Sequence, residues 1–205
     1  MTKLHNLNES PNRRRLASLE GCKMDLEKHL KEMFLAFKEA LKNYNKELIQ
    51  TPPQARARAF EASLLNSKMI ASIQNHFPNY WKFGKYKRFI LRLEGYMVLF
   101  KKLNKSDKPM NIKTKIVSAI NSQLSLSLFD DQTFVQDPIL FFGYQKNKFG
   151  DISEPKLVYI DHNQVQWTIT ENDLPDDNVI DIANTHPINP ASPTIRDVNI
   201  SKKTQ

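Results

Sequence analysis

The side chains in this sequence that are best suited to bind a ligand are basic and lie close together, between Lys82 and Lys115. This stretch has eleven lysines and arginines and two acidic residues, a local net charge of +9 in a chain whose total is +8. A basic side chain that neutralises a nucleic-acid phosphate releases bound counterions, so a dense basic surface is sufficient for salt-sensitive association. We therefore expect this basic segment to bind the phosphate backbone of DNA or RNA. The candidate binding residues are Lys85, Lys87, Arg88, Arg92, Lys101, Lys102, Lys105, Lys108, Lys113 and Lys115.

Apolar and aromatic residues are interspersed with these cations, which indicates a folded surface rather than a solvated tail. If Tyr86 and Tyr96 are exposed, they are able to stack on the bases of a single strand. No zinc-finger, RNA-recognition or helix-turn-helix pattern accompanies the segment, so sequence-specific readout is not indicated. The flanking regions, 1–81 and 116–205, carry net charges of +5 and −6. The molecule should therefore turn its basic face toward a polyanion and its acidic part away from it.

Residues of the types that bind metals or act as nucleophiles are scattered along the chain. None of the five histidines stands four residues from another, and Cys22 is the single cysteine, which excludes an intramolecular disulfide and a thiolate zinc site. The chain has five glycines in 205 residues, which does not favour a glycine-rich phosphate-binding loop. No cofactor and no metal are expected.

A small nuclease is the alternative that includes catalysis. Asp151, Glu154 and Lys156 are of the types that hold Mg²⁺ and a scissile phosphate, and Arg88 with Arg92 would suit a metal-free ribonuclease. However, acidic residues beside turns are usually explained by the exposure of turns, which suits aspartate. We expect a binding protein rather than an enzyme.

Two amphipathic helices are predicted before the basic segment. Apolar residues recur at helical spacing over 18–49, and Thr51 followed by Pro52 is typical of a helix N-cap and first helical position. A second helix should therefore run from Pro52 to about Asn75, antiparallel to the first. Such a helical hairpin could dock a protein partner. A protein-interaction module, such as a toxin–antitoxin or phage-defence component, is therefore a further alternative.

A sheet is predicted after the hairpin, because the apolar pattern changes period. Residues 88–100 suit either one bulged strand or two strands interrupted at Glu94-Gly95, with Arg88 and Arg92 on one face. Apolar residues spaced four apart predict a helix over 111–124. A three-stranded antiparallel meander that continues the same sheet is predicted over 138–144, 156–160 and 164–169.

The predicted fold class is α+β, with a small, mostly antiparallel sheet and one helix after the hairpin. No run of eighteen apolar residues and no secretory signal pattern are present, so we expect a cytoplasmic protein without a membrane partner. The predicted organisation is a flexible basic arm over 1–17, the helical hairpin over 18–77, the α+β domain over 78–174 and a disordered acidic tail over 175–205.

Overall fold

The computed structural model describes residues 16–112, 114–123 and 137–174. The predicted acidic tail, most of the predicted basic arm, and Lys113 lie outside these residues. Within them the fold is α+β, as predicted: two helices pack on one face of a six-stranded sheet, and a short helix packs on the other face.

The helical layer consists of α1 (Leu19–Leu48) and α2 (Phe60–His76). The prediction for α1 is confirmed, whereas α2 begins eight residues later than predicted. Pro52 precedes another proline, which disfavours helical geometry, and its backbone is extended with ψ 146°. Pro53–Ala55 therefore forms only an isolated 3-10 turn. The Arg56 side chain then donates hydrogen bonds to the carbonyls of Leu48, the last residue of α1, and of Thr51, both at 2.9 Å, which holds this connection in place.

The hairpin is antiparallel, as predicted. Lys68 of α2 pairs with Glu47 near the end of α1, and His76 at the end of α2 lies between Glu32 and Glu39, at 2.5 and 2.6 Å. Burial lowers the pKa of His76, but the hydrogen bonds to the two glutamates outweigh burial and raise it. The same contact is the main reason that the pKa of Glu39 is lowered. Protonated His76 therefore fastens the end of α2 to α1.

The six strands are arranged in chain order, and neighbours are antiparallel except for the third and fourth, which are parallel. Glu94 and Gly95 both have positive φ, at 47° and 78°, and form a tight turn, so the two-strand alternative for 88–100 is confirmed. The predicted meander is also confirmed. The strands are β1 (Trp81–Gly84), β2 (Arg88–Leu93), β3 (Tyr96–Lys102), β4 (Ile139–Lys146), β5 (Ile152–Asp161) and β6 (Gln164–Thr170).

The short helix α3 (Lys115–Asn121) lies in the connection between the parallel strands β3 and β4. It begins later than predicted because the Thr114 side chain accepts a hydrogen bond from the Val117 amide at 3.1 Å and caps it. Its Ile120 packs against the sheet face opposite α1 and α2. Both faces of the central strands are therefore buried, one under the hairpin and one under α3.

Candidate nucleic-acid interface

One end of the sheet collects most of the basic segment. Because of the pairing directions, β1, β3 and β4 end there, and β2 and β5 begin there. Seven of the ten predicted binding residues lie in these strand ends and their connecting turns, and three cations from outside the segment join them. We call this group the cationic end: Lys85, Lys87, Arg88, Lys101, Lys102, Lys105 and Lys108, with Arg56, Arg58 and Lys146.

The structure does not bring the other predicted residues to the cationic end. Arg92 shares a sheet face with Arg88, but four residues of extended chain, about 13 Å, separate them. Its Nε donates a hydrogen bond to Asp137 Oδ2 at 2.9 Å. Lys115 is exposed in the first turn of α3. Lys113 lies outside the described residues.

A row of neighbours crosses four strands, starting from two residues of the cationic end. The β2–β3 pairing ends at Leu91↔Val98, and its register, continued along both strands, brings Arg88 and Lys101 to the same level. Lys101 neighbours Gly143 of β4, which in turn pairs with Lys156 of β5. Cross-strand neighbours point to the same face. Three cations therefore lie in one row on the face opposite α1 and α2. Lys156 Nζ is 3.0 Å from Asp107 Oδ1, whereas Arg88 and Lys101 have no carboxylate partner among the described residues.

Arg88 and Lys101 are both partly buried without compensation. Arg88 Nη1 is fully buried and has no hydrogen-bond partner in the described chain. Burial lowers the pKa of Arg88, and burial followed by the charge of Arg88 lowers the pKa of Lys101. Like charges opposite each other destabilise a sheet, and a buried donor without an acceptor costs free energy. An anion at this position would offset both costs.

Aromatic rings pack behind this row, on the helix side of the sheet. Phe89 and Phe100 follow and precede the two cations in their strands and point to the helix side, where their ring centroids are 6.0 Å apart. Phe100 in turn lies 5.9 Å from Phe142. Aromatic pairs at these distances stabilise a packed layer. The backbone that carries Arg88 and Lys101 therefore belongs to the core and is held in place by it.

The turn between β1 and β2 places an exposed tyrosine beside Arg88. Tyr86 and Lys87 have φ of 57° and 53°, a left-handed backbone that is uncommon for residues with a side chain. Tyr86 is 80% exposed. Together with Arg88, Lys101 and Asn66 of α2, the turn lines a cleft of about 290 Å³.

The loop after β3 carries two further lysines. The Asn104 side-chain oxygen accepts hydrogen bonds from two amides of the loop, at 2.9 and 3.0 Å, which define its conformation. Asp107, the acidic residue of the loop, turns toward the sheet and pairs with Lys156. Lys105 and Lys108 consequently have no carboxylate partner among the described residues.

A second cleft, of about 460 Å³, lies on the helix side of the cationic end. Arg56, Arg58, Lys102 and Lys146 line it, and Glu61 is the carboxylate among its lining residues. Glu61 accepts hydrogen bonds from Lys146 at 2.6 Å and Arg56 at 3.2 Å, and the bond from Lys146 is the main cause of its lowered pKa. Two cations pair with one acid, and Arg58 and Lys102 keep an unbalanced positive charge.

Two of the residues proposed for a nuclease, Asp151 and Lys156, are engaged with other side chains. Asp151 Oδ2 accepts a hydrogen bond from Asn147 at 2.7 Å and shapes the turn between β4 and β5. Lys156 forms a salt bridge with Asp107. The side chain of Glu154 is not among those that the structure describes. Across residues 16–112, 114–123 and 137–174, no three His, Cys, Asp or Glu side chains group as metal ligands. The helices within these ranges include none of the length and apolarity that a membrane span needs.

Comparison with known proteins gives no relative for this chain. No protein-family model matches it, and no curated protein and no solved structure matches it either. The described residues form an α+β fold with one strongly cationic sheet end.

Proposed function

We propose that this protein binds the phosphate backbone of a nucleic acid through the cationic end. One observation carries the proposal: seven cations of the cationic end lack a carboxylate partner among the described residues, although they lie together. They are Lys87, Arg88, Lys101, Lys102, Lys105, Lys108 and Arg58.

Some cations elsewhere on the described surface are paired with carboxylates. Arg92 pairs with Asp137 at the opposite end of β2, and Lys38 of α1 pairs with Glu171. Charges gathered without counter-charges repel one another, and a polyanion removes that repulsion when it binds. A surface whose charges served only solubility would have positive and negative side chains interspersed.

Phosphate contacts by these residues predict a steep dependence of affinity on salt. Each neutralised phosphate contributes about −0.9 to the slope of log K against log salt concentration for duplex DNA and about −0.7 for a single strand. If four or more of the seven cations contact phosphates, the slope should be about −3 or steeper. Such binding positions the protein on the backbone and does not read sequence.

The experiment compares two four-lysine variants with the same change in net charge. The first replaces Lys87, Lys102, Lys105 and Lys108 of the cationic end by glutamine. The matched control replaces four exposed lysines of α1 by glutamine: Lys28, Lys31, Lys38 and Lys42. Affinity for labelled single-stranded and duplex oligonucleotides is measured by fluorescence anisotropy at several salt concentrations, after circular dichroism has shown that both variants fold.

We expect the first variant to bind on the order of 100-fold more weakly at moderate salt, with a slope shallower by about 3, and the control to stay within a few-fold of the wild type. Equal losses in both variants would show that net charge alone matters. In that case, or if the wild type binds neither oligonucleotide, the proposed interface is wrong.

A further inference from the structure

We infer that Arg88 and Lys101 form a seat for one phosphate group and that Tyr86 stacks on an adjoining base, so that the ligand is a single-stranded nucleic acid. This inference rests on the proposed function and narrows it, because phosphate contacts alone do not distinguish a single strand from a duplex.

The seat follows from two uncompensated cations that share a cleft. Arg88 Nη1 is buried without a hydrogen-bond partner in the described chain, and Lys101 lies at the same level of β3, beyond the last β2–β3 pair at Leu91↔Val98. Both side chains line the cleft of about 290 Å³. A guanidinium presents a planar fork of donors that matches phosphate oxygens, and an ammonium adds a point charge beside it. One phosphate group would satisfy the orphaned donor and remove the repulsion together.

The stacking platform follows from the turn beside this seat. Tyr86 lines the same cleft and is 80% exposed, although aromatic side chains usually bury their surface. Its left-handed backbone, with φ 57°, is of the kind that is retained where function requires it. Successive left-handed residues at Tyr86 and Lys87 hold the ring out from the sheet rather than over the core.

A single strand suits this arrangement better than a duplex. In a duplex, neighbouring base pairs cover the flat faces of each base, so an exposed ring beside a phosphate site has no face to contact. In a single strand the bases are free to leave the stack, and aromatic side chains bind them with little preference for sequence. The ring and the two cations are close together, because Tyr86 lies two residues from Arg88 and all three side chains line the same cleft.

The experiment measures the affinity of the full chain for a single-stranded 15-mer and for a duplex of the same length. Tyr86→Asn removes the ring and keeps a residue that tolerates left-handed backbone, and Tyr86→Phe keeps the ring. The matched aromatic control is Tyr80→Asn, at the opposite end of β1. Arg88→Gln and Lys105→Gln each remove one charge, from the seat and from an exposed loop position, respectively.

Tyr86→Asn should weaken single-strand binding by about 5- to 100-fold and leave duplex binding within about twofold, whereas Tyr86→Phe and Tyr80→Asn should bind as the wild type does. Arg88→Gln should cost several-fold more affinity than Lys105→Gln. If Arg88→Gln proves unstable, Lys101→Met tests the same seat and should show the same excess loss over Lys105→Gln.

The outcomes separate the two proposals. If the wild type binds both oligonucleotides and the variants at Tyr86 and Arg88 lose no more than their controls, the phosphate seat and the stacking are wrong, and the proposed function stands. If the wild type prefers the duplex, the inference is likewise overturned. If it binds neither oligonucleotide, the proposed function fails and the inference fails with it.

Discussion

Replacement of Lys101 by methionine should stabilise the ligand-free protein, although it removes a charged residue from a strand end. Lys101 lines the same cleft as Arg88, and neither has a carboxylate partner in the described part of the chain. Two unit charges one Debye length apart, about 8 Å at physiological salt, repel by about 2 kcal/mol at an effective dielectric constant of 20, and salt screens roughly half of this. The free energy of unfolding should therefore rise by about 1 kcal/mol, which for a chain of this size raises Tm by about 2–4 °C.

Lys156→Met is the matched control, because it makes the same change in the same row of the same sheet face. Lys156 is 12% exposed and pairs with Asp107 at 3.0 Å. Its replacement leaves that carboxylate with the Gln145 side chain as a remaining donor and should destabilise by about 1–3 kcal/mol. The two lysines of one row are thus predicted to give changes of opposite sign.

Urea unfolding at low and high salt measures both effects. The increase in unfolding free energy caused by Lys101→Met should become smaller as the salt concentration rises, since salt screens the repulsion that the substitution removes. With a saturating single-stranded oligonucleotide, the wild type should become more stable than Lys101→Met. A ligand held 100-fold above its Kd adds about 2.7 kcal/mol to the unfolding free energy of the wild type and less to that of the variant. If Lys101→Met destabilises the free protein as Lys156→Met does, the repulsion argument is refuted.

Three further predictions concern the body of the fold. The pKa of His76 is raised on folding, so the contribution of His76 to stability is complete below its ordinary pKa of 6.5 and is lost as pH rises through the raised value. The difference in unfolding free energy between the wild type and His76→Gln should therefore shrink toward alkaline pH. A difference that does not change with pH would contradict this prediction. A β-carbon at Gly143 would overlap the buried Leu103 side chain, so Gly143→Ala should cost about 1–3 kcal/mol in urea unfolding, and less in a Leu103→Ala background. The Cys22 thiol is buried and its pKa is raised to about 12, so a thiol reagent should label it only after unfolding, and prompt labelling of the native protein would be the opposing result.

The parts of the fold that were predictable have strong local patterns. α1 was readable from apolar residues at helical spacing, and the tight turn at Glu94-Gly95 from a glycine between two apolar runs. The start of α2 was not, because Thr51-Pro52 has the pattern of a helix start while the second proline disfavours helical geometry at Pro52. β1 was missed because a four-residue strand is too short to show alternation.

The candidate site was predictable in composition and not in position. The density of cations in the basic segment was visible in the sequence, and so was the shared face of Arg88 and Arg92. The parallel pairing of β3 with β4 joins segments separated by a long connection and has no local signal, so the contribution of Lys146 could not be foreseen. The separation of Arg92 from the cationic end likewise depends on where its strand begins and ends.

The most direct test of the account is the slope of log K against log salt concentration for a single-stranded oligonucleotide. The wild type and the α1 control should share a slope of about −3 or steeper, and the variant with glutamine at Lys87, Lys102, Lys105 and Lys108 should have a slope shallower by about 3. A slope that is the same in all three proteins would contradict the assignment of phosphate binding to the cationic end.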